Sequence, residues 1–156
     1  MLRLLSVLAF GFVTTAFTRP GPSLEQIATD YFFSDIFREE YPDYKAIEFD
    51  NQTDTSRYWS TTYKCVNWDD EIKRQILSST PDRSTQVTAT VTDLRVKKVT
   101  RNSGKLRISV WSKVKVGNSY FVLIGAYRKL RFSEYFLFEL DSEGRIIQMC
   151  KQGEII

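Results

Sequence analysis

The sequence contains no histidine and only two cysteines among its 156 residues, and these scarcities restrict its chemistry. Histidine is the usual general acid or base near neutral pH, and cysteine nucleophiles usually depend on a histidine base. No C-x-x-C pair suits zinc, and neither a G-x-S-x-G motif nor a phosphate-binding glycine loop occurs. We therefore expect no metal, no cofactor and no common nucleophilic triad.

Dense charge of one sign and long apolar runs are also missing. The formal charge is +3, and the basic residues of "LRVKKVTR" and "YRKLR" fall on separate segments with acids elsewhere. A nucleic-acid-binding protein usually presents a denser basic face. The apolar run Leu4–Val13 is shorter than the roughly 20 residues that a membrane-spanning helix needs. The sequence therefore predicts neither a nucleic-acid partner nor a membrane span.

The first residues have the pattern of a secretory signal. A basic start at Arg3 precedes the apolar run Leu4–Val13, and small residues follow at Thr14–Ala16. This order is typical of a signal peptide, which we place at residues 1–18. Its removal takes away Arg3 and lowers the formal charge from +3 to +2. We predict a secreted, single-domain protein of residues 19–156.

Export gives the two cysteines and one asparagine a specific meaning. Cys65 and Cys150 allow only one intramolecular pairing, which an oxidising compartment favours over two buried free thiols. A bridge closing a loop of about 85 residues stabilises the fold by roughly 4 kcal/mol in the chain-entropy description. The stretch Asn51–Thr53 matches the N-glycosylation acceptor, so Asn51 is a predicted glycan site.

Two helices are predicted in the first half of the mature chain. Ser23 and Gln26 have the spacing of a capping box before apolar residues at helical intervals, and Pro42 ends that helix. The stretch "NWDDEIKRQILSSTPD" predicts a short helix that begins at Asn67 or Asp69. "KAIEF" and "SRYWSTTYKCV", before the short helix, have the composition of strands.

The second half follows the two-residue period of strands. Alternation begins near Ser84 and slips at Asp93, which predicts a long strand with a β-bulge. The next strand has Trp111 opposite one apolar face, so Trp111 is expected on the outer face, open to a partner. That apolar face comprises Leu106, Ile108, Val110, Ser112, Val114 and Val116.

Gly125 is expected at a bend or close approach. The strands end in a hairpin predicted to lie centrally in the sheet. The order predicts an α+β fold with both helices on one face.

This element order and the closing "YFLFELDSEGRIIQMCKQGEI" resemble the nuclear transport factor 2-like family over residues 23 to 153. "TVTDLRVKKV" is similar to the family's first long strand. The resemblance, which extends to the related SnoaL-like and cystatin-like superfold, implies a cone in which a strongly curved antiparallel sheet wraps around the long N-terminal helix. Small secreted members of the family are the most similar by pattern. A true cystatin is less similar, because "QVTAT" lacks the glycine of the inhibitory Q-x-V-x-G loop.

Family members include isomerases, dehydratases and cyclases as well as non-catalytic binding modules. An isomerase-type site needs an inward carboxylate near hydroxyl donors, and Asp30 and Asp93 are the weak candidates. Asp30 is more simply explained as a solvated helix residue, and Asp93 as the end of the alternation.

Aromatic residues could instead line an apolar pocket. The candidates are Tyr31, Trp59, Tyr120 and Tyr127, although core packing explains any one of them more simply. We therefore expect a secreted, non-catalytic domain that binds a small apolar ligand or a protein partner. An isomerase or cyclase is the first alternative, and a structural module that dimerises through its sheet face is the second.

Overall fold

The computed structural model describes residues 21–58, 64–91, 93–98, 106–128 and 132–155. Their fold is α+β, with one mixed seven-stranded sheet and helices packed against both of its faces. The predicted signal peptide, residues 1–18, lies outside these ranges, and so does Trp59. The part of the chain that is described contains no helix long and apolar enough to cross a membrane.

The first helix begins where the capping box predicts. Ser23 Oγ accepts a hydrogen bond from the Gln26 backbone N–H at 3.1 Å. The helix continues through α1 (Leu24–Tyr31), a π-helical turn (Phe32–Ile36) and α2 (Phe37–Glu40). A π-helical turn adds a residue and rotates the following side chains about the axis. One apolar side of this helix packs on the sheet, and its buried members are Ala28, Phe32, Phe33, Ile36 and Phe37.

The described part of the sheet has seven strands, which are β1 (Ala46–Phe49), β2 (Arg95–Lys98), β3 (Leu106–Val110), β4 (Val114–Val116), β5 (Ser119–Arg128), β6 (Phe132–Leu140) and β7 (Ile146–Ile155). Their order is β2-β1-β3-β5-β6-β7, with β4 paired to β5. β1 is parallel to β2 and to β3, whereas the remaining pairs are antiparallel. The prediction of a wholly antiparallel sheet is therefore wrong. Parallel neighbours need a long crossover, which the segment carrying the second helix provides.

The strand predicted from Leu106 to Val116 is interrupted by a bulge. Val110 pairs with Ile124 and Val114 pairs with Phe121, so three residues on one strand oppose two on β5. One extra residue turns every later side chain to the other face of a sheet. Val110 accordingly packs with the first helix, while Val114 packs on the opposite face. The prediction that both line one face is wrong.

The second face of the sheet is covered by the chain itself. Helix α3 (Asp70–Ser78) begins at Asp69, whose Oδ1 accepts the Ile72 N–H at 2.8 Å. Ile76 of this helix is buried among side chains of β5 and β6. Trp111 is only 2% exposed, and its Nε1 donates to Ser56 Oγ at 3.0 Å. The expectation of both helices on one face, with Trp111 open to a partner, is therefore wrong.

The predicted disulfide is confirmed: Cys65 is bonded to Cys150. Two hydrogen bonds accompany it, from Asn67 Nδ2 to the Met149 carbonyl at 3.0 Å and from Gln152 Nε2 to the Lys64 carbonyl at 3.1 Å. Because β7 is an edge strand, these contacts place residues 64–67 beside its outer edge. Covering an edge in this way restricts pairing with other chains.

The closing hairpin is only half central. β6 lies between β5 and β7, but β7 is the last strand of the sheet, so the prediction of a wholly central hairpin is wrong. The connecting turn ends at Gly144, whose φ is +83°. A Cβ atom built on Gly144 would lie 2.4 Å from Ile27 Cδ1. The hairpin turn therefore contacts the first helix, and a Cβ at position 144 would have to displace the end of the Ile27 side chain.

We expect Gly144→Ala to lower the free energy of unfolding by about 2 kcal/mol, from the positive φ and the clash with Ile27. Gly117 provides a matched control, because its φ is +59° but nothing lies within 4 Å of the added Cβ. Gly117→Ala should cost about 1 kcal/mol, the conformational part alone. Urea unfolding measures both values, and equal losses would contradict the Ile27 contact.

The segment from Ser84 to Val91 is extended but is not the predicted long strand. Val87 packs against the first core, and Ala89 and Val91 lie beside it, as their alternation indicates. Only Gln86 forms a β-bridge, with Gln52. The predicted bulge at Asp93 is instead a left-handed residue, with φ of +67°. The ladder begins only after this turn, at β2, so the long-strand prediction is wrong.

Candidate functional site

A cavity of about 330 Å³ opens beside the end of β1, where the sheet meets residues 87–89. This volume lies at the lower end of the range for small-molecule sites. Its lining residues are Phe49, Asn51, Val87, Thr88, Ala89, Val96 and Lys97. They come from β1 and the chain just after it, from β2 and from the extended segment, which no local sequence pattern joins.

Backbone hydrogen bonds hold one side of this cavity. The Val87 N–H donates to the Asn51 carbonyl at 3.0 Å, and the Thr53 N–H donates to the Thr85 carbonyl at 3.0 Å. These bonds replace a regular ladder after β1 ends at Phe49. They keep Phe49 and Val87 close enough to form one apolar wall.

The first helix holds the other side. The Gln26 side chain accepts the Thr88 N–H at 2.8 Å and donates to the Thr88 carbonyl at 2.9 Å. Asp30 Oδ1 accepts a hydrogen bond from Thr90 Oγ1 at 2.8 Å. Gln26 thus fixes the extended segment as a neighbouring strand would, instead of completing the capping box.

Among the described residues, the cavity lining is mainly apolar and contains no carboxylate. Asn51 and Thr88 supply neutral polar groups. Lys97 is in register with Glu48, whereas Val96 is in register with Ile47 of the first core. Because successive strand residues face opposite sides, Lys97 is on the face of β2 opposite to Val96. The arrangement favours a neutral apolar occupant over an anionic one.

A second, polar cleft of about 210 Å³ lies on the other side of the chain that follows β1. Phe49 is paired with Ile108 and Asp54 is bridged to Trp111, so four residues of one chain oppose two of β3. The extra residues separate the chains and open the cleft. Its lining residues are Asp50, Gln52, Thr53, Asp54, Arg107, Ser109 and Val110.

Three aromatic rings pack near this cleft. The ring centroids of Trp111 and Tyr127 are 6.4 Å apart, and those of Tyr127 and Tyr135 are 6.0 Å apart. A Cβ on Gly125 would lie 3.0 Å from both Trp111 and the Tyr127 hydroxyl, so the expected close approach at Gly125 is confirmed. Burial, followed by the charge and hydrogen bond of Tyr135, raises the pKa of Tyr127. Tyr127 therefore remains a neutral phenol near pH 7.

A buried charge network joins the end of the first helix to the last strands. Glu134 Oε2 accepts a hydrogen bond from the Tyr41 hydroxyl at 2.6 Å and lies 3.2 Å from the Arg128 guanidinium. Glu134 Oε1 lies 3.2 Å from Lys151 Nζ, which also pairs with Glu40. Two carboxylates thus face two cations.

Two members of this network, Tyr41 and Lys151, have raised pKa values. Burial, then the hydrogen bond to Glu134 and its charge, raises the pKa of Tyr41. Burial lowers the pKa of Lys151, but hydrogen bonds and charge attraction to Glu40 and Glu134 outweigh it and raise the pKa. Tyr41 and Lys151 therefore keep their protons at neutral pH. The network is charge-balanced, as expected of a stabilising cluster.

A third carboxylate, Glu139, is held by neutral donors. It accepts hydrogen bonds from Trp68 Nε1 at 2.6 Å, Ser119 Oγ at 2.6 Å and Gln148 Nε2 at 2.7 Å. Burial raises its pKa, but the three hydrogen bonds outweigh burial and lower the pKa. Hydrogen bonds to the ionised form stabilise that form in the folded protein.

This lowered pKa predicts a pH-dependent contribution to stability. A depressed pKa stabilises the fold above the unfolded value of about 4.3, and the contribution is lost as pH falls through the folded value. We expect Glu139→Gln to cost about 1 kcal/mol at pH 7, because the carboxylate is only half-buried. The difference from wild type should shrink below about pH 4. Urea unfolding at both pH values measures it, with exposed Glu143→Gln as the control; a pH-independent difference contradicts the assignment.

The predicted site residues are not brought together. Asp30 is exposed and Asp93 is exposed, and neither lines the two clefts. Tyr31 is 40% exposed, with its ring 6.1 Å from Phe138. Trp59 lies outside the described residues. Their predicted catalytic and binding roles stay predictions.

The remaining two aromatics lie far apart along one strand. Tyr120 is near the start of β5 with Lys115 Nζ 5.5 Å from its ring centre, and Tyr127 is near the end. Tyr127 packs with the second core, whereas the parity of β5 puts Tyr120 on the first-core face with Val122. Asn51, by contrast, is exposed, as a glycan acceptor requires. It also lines the apolar cavity.

Sequence reasoning missed the buried carboxylates Glu134, Glu25 and Glu48. Glu134 occupies an inward position of β6, two residues before buried Phe136, and this alternation was the available signal. Glu25 is fully buried, and its Oε1 lies 3.5 Å from Lys113 Nζ. Its place in the first turn of α1 suggests only a favourable helix-dipole contact.

Metal binding finds no support in the described segments, which contain no group of three or more His, Cys, Asp or Glu residues arranged to hold an ion. A comparison of the chain with protein-family models, with curated proteins and with solved structures finds no match. The geometry of the two clefts is therefore the basis for the function proposed below.

Proposed function

We propose that the protein binds a small, neutral, apolar molecule in the cavity between β1 and residues 87–89. The observation that carries the proposal is the cavity itself, about 330 Å³ in volume and walled by Phe49, Val87, Ala89 and Val96. Ligand sites are typically concave and apolar, with a few polar groups that fix orientation. Asn51 and Thr88 supply such groups here.

The way the cavity is held supports this role. Residues 85–88 are hydrogen-bonded to the chain after β1 on one side and to Gln26 of the first helix on the other. A site whose wall is anchored on both sides loses less conformational freedom when a ligand binds. The pocket is therefore largely preformed.

At the level of family and location, we propose a secreted nuclear transport factor 2-like domain. The long first helix packed on the sheet supports it, and the disulfide is compatible with export. Two features differ from the expected cone: β1 is parallel to both neighbours, and α3 covers the second face.

The alternatives have less support. An isomerase or cyclase using Asp30 or Asp93 needs an inward carboxylate, and both side chains are exposed. Glu134 is the buried carboxylate beside a tyrosine, but Arg128 and Lys151 pair with it. Dimerisation through the sheet face, or binding of a protein partner there, requires a surface other than Trp111, which is covered.

The proposal is tested by filling the cavity. N-phenyl-1-naphthylamine is a neutral apolar dye that fluoresces when it leaves water. We expect saturable binding to unglycosylated wild-type protein with an intact disulfide. Ala89→Phe places a ring in the cavity and should weaken binding at least tenfold.

The matched control is Val66→Phe, which adds the same ring at a site that is 90% exposed. Its dye affinity should equal that of the wild type. Absence of saturable binding to the wild type, or equal affinity of the Ala89→Phe protein, would contradict the proposal. Circular dichroism and urea unfolding verify that each variant is folded.

A further inference from the structure

We propose that an N-glycan on Asn51 places its first sugar over the mouth of the apolar cavity and thereby controls access to it. The effect on access rests on the proposed binding function, whereas the position of the sugar can be tested separately. It joins two observations that arise independently, the acceptor sequence and the cavity lining.

The geometry places the attachment point at the rim. Phe49 and Asn51 are two residues apart along an extended chain, and both line the apolar cavity. Asp50, between them, lines the polar cleft on the opposite side. The Asn51 side chain is exposed while Phe49 is 4% exposed. A sugar joined to Asn51 Nδ2 therefore begins beside the Phe49 wall.

The chemistry of the sugar fits this wall. One face of N-acetylglucosamine presents C–H groups, which pack favourably on aromatic and aliphatic side chains, while its edges present hydroxyl and amide groups. Phe49 and Val87 provide the apolar surface, and Thr88 provides a polar group at the same opening. Covering this surface removes apolar area from water and stabilises the folded state.

The attachment must precede folding of this region. The oligosaccharide comes from a lipid diphosphate donor: a bond forms between Asn51 Nδ2 and the sugar C1, the C1–oxygen bond to the lipid diphosphate breaks, and one amide proton is released. The acceptor sequence needs an accessible Thr53. In the fold Thr53 is 4% exposed, and its Oγ1 contacts Ser112 Oγ at 2.6 Å and accepts the Thr85 N–H at 2.9 Å.

The experiment compares three forms of one secreted protein, expressed in a eukaryotic cell. The first keeps its full glycan, the second is trimmed to a single N-acetylglucosamine, and the third is cleared by an amidase that leaves aspartate at position 51. We expect the first two to bind N-phenyl-1-naphthylamine at least tenfold more weakly than the third. The trimmed form should also melt several degrees above the cleared form.

Each outcome bears on a distinct claim. Equal dye binding and equal melting of the trimmed and cleared forms, or an Asn51 that carries no glycan, overturns the inference. If no form binds dye but the trimmed form is the more stable, the sugar position holds and the small-ligand function fails. Asn118→Gln, at an exposed asparagine outside both the cavity lining and any acceptor sequence, is the control and should leave the dye affinity of each form unchanged.

Discussion

Removal of the Cys65–Cys150 bridge should lower the free energy of unfolding by about 4 kcal/mol. The two cysteines are 85 residues apart, so the bridge strongly restricts the unfolded chain. Both are buried in the second core. We therefore choose the double substitution Cys65→Ala and Cys150→Ala, which introduces no buried polar group. Urea unfolding at pH 7 measures the loss.

The effect of a reductant provides the control. Wild-type protein in strong reductant should lose about as much stability as the double variant, whereas the double variant should not respond to reductant. A loss below about 1 kcal/mol in both comparisons would contradict a stabilising role for the bridge. A reductant response of the double variant would show an effect on something other than this disulfide.

Replacement of Glu134 by glutamine should cost about 3 kcal/mol. Removing one partner from a buried charge network leaves the opposite charges uncompensated, at about 3 to 5 kcal/mol. The lower figure applies because the side chains of Arg128 and Lys151 are each more than a third exposed, at 37% and 35%, and water compensates part of the loss. The Tyr41 hydroxyl also loses its charged acceptor.

A matched pair of variants separates burial from charge. Glu143→Gln removes one negative charge at an exposed site, where Glu143 lies 3.5 Å from Arg145, and should change stability by less than about 0.5 kcal/mol. Thermal and urea unfolding are compared for both proteins. Equal, small losses in the two variants would contradict a buried network that depends on Glu134.

Local sequence signals predicted the local features well. Ser23 and Asp69 begin helices because their side-chain oxygens accept N–H groups three residues ahead, a relation contained within one turn. The Cys65–Cys150 pairing could be predicted because two cysteines allow only one intramolecular bridge. Gly125 likewise indicated a close approach in its strand. Each of these depends on neighbouring residues or on composition.

Features that depend on distant residues were not predictable in the same way. The bulge at Trp111–Lys113 adds one residue relative to β5, and alternation alone does not show which side chains change face. The segment Ser84–Val91 has strand-like alternation, but Gln26 rather than a strand satisfies Thr88. The apolar cavity lies beside this segment, where the Gln26 side chain takes the place of a neighbouring strand. Its position could therefore be learned only from the fold.

Methyl nuclear magnetic resonance shows whether a small neutral molecule binds in the apolar cavity. Unglycosylated wild-type protein is titrated with N-phenyl-1-naphthylamine while methyl signals are followed. We predict saturable shifts at Val87, Ala89 and Val96, with none at exposed Val66 and Ile147, which lie outside the cavity lining. No saturable shift, or shifts confined to Val66 and Ile147, would contradict ligand binding in this cavity.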